Sequence, residues 1–179
     1  MFIEIEKRAC VDAKEIFDTR YRISSFSLSK IMDRMVFAGG AFASILLNTP
    51  PRDIDLFILN SQPEDFAIFD NYAKANNYPI DAKITKNPKY DNINPRITSV
   101  WKMTRNNVNF DIIFTDYMTP EAVISDFDYL HSKVWFYSGK LYISHSTFRA
   151  IMDMKLIPAS DKPISKERRE KFIARGWKE

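Results

Sequence analysis

The stretch "FAGGAFASILLNTPPRDIDLFI", residues 37–58, sets two adjacent glycines before a helix-like segment and then two aspartates one residue apart in an apolar run. Glycine is scarce in this chain, 4 among 179 residues, and two of them are Gly39 and Gly40. The pair therefore marks backbone that a side chain would obstruct. Residues 53–59, DIDLFIL, alternate with a period of two, which places Ile54, Leu56 and Ile58 on one face of a strand and Asp53, Asp55 and Phe57 on the other. Carboxylates at i and i+2 lie about 6.6 Å apart at Cα and point the same way. Their charges crowd unless a cation lies between them.

Working outward, VFAGG reads as a short strand entering a turn, and AFASILLN as a helix stopped by Pro50 and Pro51. Upstream, SSFSLSKIMDRM (24–35) has helical spacing of Phe26, Leu28, Ile31, Met32 and Met35, with Ser24 or Ser25 as cap. Downstream, SQPEDFAIFDNYAKANN predicts a capped helix, IDAKITK an alternating strand, and ITSVWKMT with VNFDIIFTD a hairpin turning at Arg105, Asn106 and Asn107, where asparagine tolerates positive φ. TPEAVISDF opens as a helix with Thr119 as cap and Pro120 in its first turn. HSKVWFYSGKLYIS predicts a second hairpin at Ser138 and Gly139, and a helix follows near 146–155. Early alternation of helices and strands with late hairpins argues for an α/β (α+β) fold whose sheet contains antiparallel pairs.

Hydrophobic residues make up 45% and charged residues 27%, the balance of a globular protein of one domain. The net charge of +3 permits an anionic partner without demanding one. A single cysteine, Cys10, excludes an internal disulfide and a cysteine-based zinc cluster; MFIEIEKRAC lacks the uninterrupted apolar core of a signal peptide, and no membrane span is expected. A cytoplasmic protein is expected. The tail, residues 161–179, carries seven lysines and arginines against four acids. Its Lys166, Arg168, Arg169, Lys171 and Arg175 form either a solvated helix face or a surface for an RNA backbone. The expected organisation is a catalytic domain over 1–145, with 146–179 a helical basic extension of the same domain.

A third acid stands on a neighbouring strand. In VNFDIIF, Phe110, Ile112 and Phe114 share one face, so Asp111 points from the other, towards Asp53 and Asp55. Three oxygen ligands suit magnesium or manganese, and two such ions about 3.5 to 4 Å apart support in-line displacement at phosphorus. A glycine turn lets backbone N–H groups approach phosphate without a Cβ in the way. Ser44 could hydrogen-bond a phosphate oxygen or its own helix backbone. His131 and His145 lack partners at ligand spacing and are expected in packing or surface roles, while Trp101 and Trp135 fall at core positions.

The order of Gly39, Gly40, Leu46, Leu47, Pro51, Asp53 and Asp55, then Asp111 after a hairpin, resembles the nucleotidyltransferase superfamily related to DNA polymerase beta. The local likeness is to the head domain of CCA-adding enzymes and bacterial poly(A) polymerases. The resemblance implies a polymerase beta-like nucleotidyltransferase fold, a mixed sheet with flanking helices. It further implies transfer of an NMP from an NTP to an acceptor hydroxyl on RNA or tRNA, a protein or a small molecule, with release of pyrophosphate. By the same resemblance Gly39 and Gly40 would contact the incoming phosphates, Asp53 and Asp55 would bind two Mg2+ or Mn2+ ions, and Asp111 would help to activate the acceptor. Ala43 and Ser44 stand where CCA-adding enzymes carry an Arg-Asp pair, which argues against a CCA-adding role. The alternative is a non-catalytic nucleotide- or RNA-binding module that keeps the fold. The sequence assigns no oligomeric state.

Overall fold

The computed structural model describes residues 11–19, 28, 30–85 and 94–179. Helix α1 (11–19) precedes β1 (Met35–Ala38), α2 (Gly40–Leu46), β2 (Asp53–Ile58), α3 (Pro63–Ala75), β3 (Ile80–Thr85), β4 (Ile97–Arg105) and β5 (Val108–Thr115). Then come α4 (Pro120–Ser125), β6 (Trp135–Tyr137), β7 (Lys140–Tyr142), α5 (His145–Met152) and α6 (Lys166–Ile173). The strands form one seven-stranded mixed sheet in the order β3-β4-β5-β2-β1-β6-β7. The β2–β5 pair is parallel and the other neighbours are antiparallel.

Local chemistry accounts for the joints. Asn106 (φ 51°) and Asn107 (φ 62°) make the two-residue turn between β4 and β5, both in the left-handed region that matches strand twist. In α3, Pro63 lies in the first turn and Asp65 caps back onto the Gln62 N–H at 2.8 Å. The Asp65 carboxylate, almost wholly buried, also takes both Arg34 amino groups at 2.7 and 2.8 Å. This bidentate pair ties α3 to the 3-10 turn Met32–Arg34 that leads into β1.

Two boundaries differ from the sequence reading. Of the helix expected over 24–35, residues 24–27 and 29 lie outside the described residues; Lys30 and Ile31 form a turn, Met32–Arg34 a 3-10 turn, and Met35 opens β1. Met35 pairs with Ile58, so sheet pairing between β2 and β6 overrides the helical spacing there. Helix α2 ends before its prolines: Asn48 (φ 54°) closes it, and Thr49 N–H returns to the Ser44 carbonyl at 2.8 Å.

The two sheet faces are covered unequally. Ile54, Leu56 and Ile58 of β2, with Phe110, Ile112 and Phe114 of β5, face the larger core, which receives Ala13 and Phe17 of α1, Phe42 and Ile45 of α2, Phe69 and Tyr72 of α3, Ile151 of α5 and Phe172 of α6. Each of these large side chains stabilises the fold by about 1.5–3 kcal/mol on burial. The opposite face carries a smaller cluster, Val36, Phe57, Val100, Ile113 and Tyr117, roofed by Val123 and Ile124 of the short α4. Asp55 and Asp111 belong to this thinly covered face. Among the described residues, no helix is long and apolar enough to cross a membrane.

Candidate active site

The parallel pairing of β2 with β5 sets Asp55 directly beside Asp111 and Asp53 beside Asn109. Parallel neighbours sit about 4.8 Å apart, so the two carboxylates leave the same face from adjacent strands at one level. Asp53, at the start of β2, is exposed, while Asp55 and Asp111 are half-buried.

On the other side Asp55 pairs with Ala38, the last residue of β1, immediately before the glycines. Gly39 has φ +95°, and a Cβ there would lie 2.8 Å from Asp55 Oδ2. This glycine is needed both for the backbone conformation and to admit the carboxylate. Its N–H donates to the Val134 carbonyl at 3.2 Å. Gly40 opens α2, and a Cβ at this position would meet nothing within 4 Å, so packing does not require it to be glycine. Ser44 lies one turn further along α2; its carbonyl accepts from Thr49 N–H and Oγ1, and no hydrogen bond joins its hydroxyl to the acids among the described residues.

The electrostatics are those of crowded anions. Burial, then the charges of Asp53 and Asp111, push the Asp55 carboxyl up to about 7, with Arg168 and Lys102 acting in the opposite sense. Lys102 donates to both oxygens of Asp111, at 3.0 and 3.1 Å. The sequence reading passes over Lys102, although a signal for it exists. A two-residue turn at Asn106 and Asn107 fixes the β4–β5 register and thereby sets Lys102 opposite Asp111.

From the acids, an open cleft of about 190 Å³ runs under α4 between Phe57, Val100, Ile113 and Phe127. Its far end is polar and internally bonded. Asn94 Nδ2 donates to the Tyr117 hydroxyl at 2.6 Å, Tyr117 donates to Asp126, and Lys162 pairs with Asp126 at 3.0 Å. Burial and the Asp126 hydrogen bond push the Tyr117 hydroxyl up to about 12.

The C-terminal segment packs on the 3-10 turn Leu130–Ser132. Arg168 of α6 clasps Asp128 at 2.6 and 3.1 Å, and its charge bears on Asp55. Phe172 anchors the helix against Tyr129 and His131, with ring centroids at 5.3 and 4.6 Å. Gly176 (φ +90°) then turns the chain so that Trp177 stacks on His131 at 4.0 Å. His131 is therefore a core residue of a 3-10 turn rather than a strand residue, and His145 begins α5.

The donor set suits a hard divalent cation. Asp53, Asp55 and Asp111 offer only carboxylate oxygens, and the half-buried Asp55 is a costly anion that such a charge would stabilise. Yet among the described residues no three acidic, histidine or cysteine side chains converge within ligand distance. Asp111 would have to exchange the Lys102 ammonium for a metal.

The fold is that of the nucleotidyltransferases. A CCA-adding enzyme in complex with ATP superimposes with a TM-score of 0.53 at 15% identity, covering 83% of this chain and 37% of that one. The Bacillus stearothermophilus CCA-adding enzyme in complex with CTP gives 0.50 at 16% identity, over 84% of this chain and 36% of that one. A tRNA nucleotidyltransferase complexed with a primer tRNA and an incoming ATP analog gives 0.51 at 11% identity, over 71% and 36%. At such identities the likeness is one of fold, and this chain spans little more than a third of the length of those enzymes. No curated protein matches the chain in sequence. Within the nucleotidyltransferase fold, the chain belongs to the Gabija anti-defense 2 (Gad2) family, whose model matches residues 9–153.

Proposed function

We propose that this protein is a metal-dependent nucleotidyltransferase that moves an NMP from an NTP to an acceptor hydroxyl, and that this transfer serves the anti-defense role for which the Gabija anti-defense 2 family is named. The observation that carries the reading is the register pairing of Asp55 with Asp111 on the face where Gly39 makes room for the Asp55 carboxylate. Asp53, Asp55 and, once Lys102 is displaced, Asp111 would hold Mg2+ or Mn2+. Such ions, when bound, neutralise phosphate charge and lower the pKa of the acceptor hydroxyl.

The chain's own residues supply the rest. Gly39 and Gly40 border the donor phosphates, and Ser44 stands one turn behind them. The acceptor oxygen attacks the α-phosphorus, its bond to phosphorus forms, and the bond to the bridging oxygen of the β-phosphate breaks. Pyrophosphate leaves with that electron pair, and Asp111 takes the acceptor proton. The open cleft beyond Asp111, walled by Phe57, Val100, Ile113 and Phe127, leaves room for the acceptor on the attacking side.

Incubation with each α-labelled NTP in magnesium or manganese, with total RNA and a protein extract, tests this. Label on RNA or protein that disappears in an Asp53→Asn, Asp55→Asn variant is the expected result. Metal-dependent nucleotide binding without any transfer would favour the non-catalytic reading, for which the Lys102–Asp111 ion pair is the structural argument.

A further inference from the structure

The β6–β7 hairpin has no part in the transfer reading, yet its register carries it to the same site. One row of paired residues crosses the sheet: Tyr142 lies opposite Trp135, Trp135 opposite Ala38, Ala38 opposite Asp55, Asp55 opposite Asp111, and Asp111 opposite Lys102. Residues directly opposite one another send their side chains from one face. Two aromatic rings thus share the thinly covered face, and the level on it, with the carboxylates. Trp135 stands two strand spacings, about 9.6 Å at Cα, from Asp55. Ala38 contributes only a methyl group between them, and Gly39 and Gly40, which follow it, add no side chain.

The geometry of the pair differs from that of the core rings. Trp135 and Tyr142 stack with centroids 5.1 Å apart and planes 7° from parallel, whereas Phe17–Phe37 and Phe69–Phe114 in the larger core meet at 73° and 87°. Edge-to-face packing interlocks rings, while a parallel pair keeps a flat π surface on its outer side. Trp135, expected at a core position, is only half-buried, and Tyr142 is 37% exposed on the edge strand. A cross-strand aromatic pair steadies a short hairpin wherever it lies along the strands. That role does not require the level of the carboxylates.

We propose that Trp135 and Tyr142 form a stacking platform for the nucleobase of the nucleotide donor, whose phosphates lie at Gly39, Gly40, Asp53 and Asp55. The placing of the phosphates rests on the transfer reading. A base on the Trp135 side of Asp55 leaves the cleft on the Asp111 side to the acceptor, so the two substrates reach the carboxylates from opposite sides. The platform reads stacking area rather than a hydrogen-bonding pattern. The hydroxyl of Tyr137, the next aromatic residue on this face of β6, is committed to the Asp33 carbonyl at 2.8 Å. Purine nucleotides are therefore favoured over pyrimidine ones, without a strict choice between adenine and guanine.

The test is calorimetric titration of the full chain in magnesium with ATP, with CTP and with inorganic tripolyphosphate, joined to tryptophan fluorescence. The parent is expected to bind ATP about tenfold more tightly than tripolyphosphate and several-fold more tightly than CTP. Trp135→Val/Tyr142→Val, which keeps β-branched residues in both strands, should weaken ATP about tenfold and leave tripolyphosphate unchanged. If that variant does not fold, Tyr142→Thr alone, at the exposed edge, should still weaken ATP about threefold. ATP should quench the parent's fluorescence and Trp135→Phe should abolish the quench, because Trp101 and Trp177 are buried. ATP affinity unchanged in the variants, ATP and tripolyphosphate weakened in parallel, a quench that survives Trp135→Phe, or a parent that binds ATP no more tightly than CTP or tripolyphosphate would each overturn the proposal. Platform-dependent ATP binding with no transfer to any acceptor would instead sink the transfer reading and leave the platform standing, and transfer with an unchanged nucleotide KM in the double variant would do the reverse.

Discussion

Acidification should loosen the C-terminal segment through His131. This imidazole is 1% exposed, neither ring nitrogen has a hydrogen-bond partner, and it is enclosed by Tyr129, Phe172 and Trp177. Burial, aided by the charges of Arg168 and Arg175 and opposed by that of Asp128, lowers its pKa from 6.5 to about 4. Between those values the unfolded chain binds a proton that the folded chain refuses, so stability falls as the pH drops through 6.5 and levels off below about 4. At about 1.36 kcal/mol per unit the full cost is about 3 kcal/mol, of which about 2 kcal/mol is lost by pH 5. For a chain of this size that is about 4–8 °C in Tm.

Urea unfolding at pH 7.5 and pH 5, followed by tryptophan fluorescence, measures it in the parent and in His131→Phe, which keeps an aromatic ring but cannot be protonated. Contributions from groups remote from His131 are common to both chains and cancel in the difference. The variant should retain about 2 kcal/mol more of its stability at pH 5 than the parent does. Parallel pH profiles for the two chains would refute the reasoning.

Three further outcomes are expected. Lys102→Gln frees Asp111, so it should raise magnesium affinity about three- to tenfold by calorimetry while changing stability by less than about 1 kcal/mol, since Lys102 is half exposed. Gly39→Ala should cost about 1–3 kcal/mol in denaturant unfolding, because φ +95° strains any side chain and its Cβ would press on Asp55, whereas Gly40→Ala should be neutral or stabilise α2 by up to about 1 kcal/mol. If Gly40 borders the donor phosphates, that same stable variant should bind ATP more weakly. Arg34→Ala strands the buried Asp65 carboxylate and should destabilise by about 3–5 kcal/mol in the same unfolding assay.

Period-two alternation makes both central strands legible: Ile54, Leu56 and Ile58 separate cleanly from Asp53, Asp55 and Phe57, and Phe110, Ile112 and Phe114 from Asp111. Asparagine and glycine punctuation likewise locates both hairpins. What the sequence conceals is tertiary. The spacing of Ile31, Met32 and Met35 suits a helix, but the need for a strand between β2 and β6 takes precedence at Met35. His131 carries no local sign that Phe172 and Trp177, some forty residues away in sequence, will enclose it. The tail's composition does not separate a solvated helix from a docked one, because only the folded chain shows Phe172 packed against Tyr129 and His131 and Arg168 paired with Asp128.

The crowding of Asp53, Asp55 and Asp111 is met largely from within the chain. Lys102 neutralises Asp111 from β4, Arg168 bears on Asp55 from α6 while bound to Asp128, and Asp55 holds its proton up to about pH 7. Each of these compensations is exchangeable: a lysine on a partly exposed strand position, an arginine shared with another acid, a proton. A structural role would be served as well by asparagine at Asp55, which needs neither the proton nor the counterions. On the transfer reading, three acids on two neighbouring strands, with a glycine at positive φ to fit one of them, are an arrangement suited to receive positive charge from outside. On that reading the charge is the metal accompanying a nucleotide.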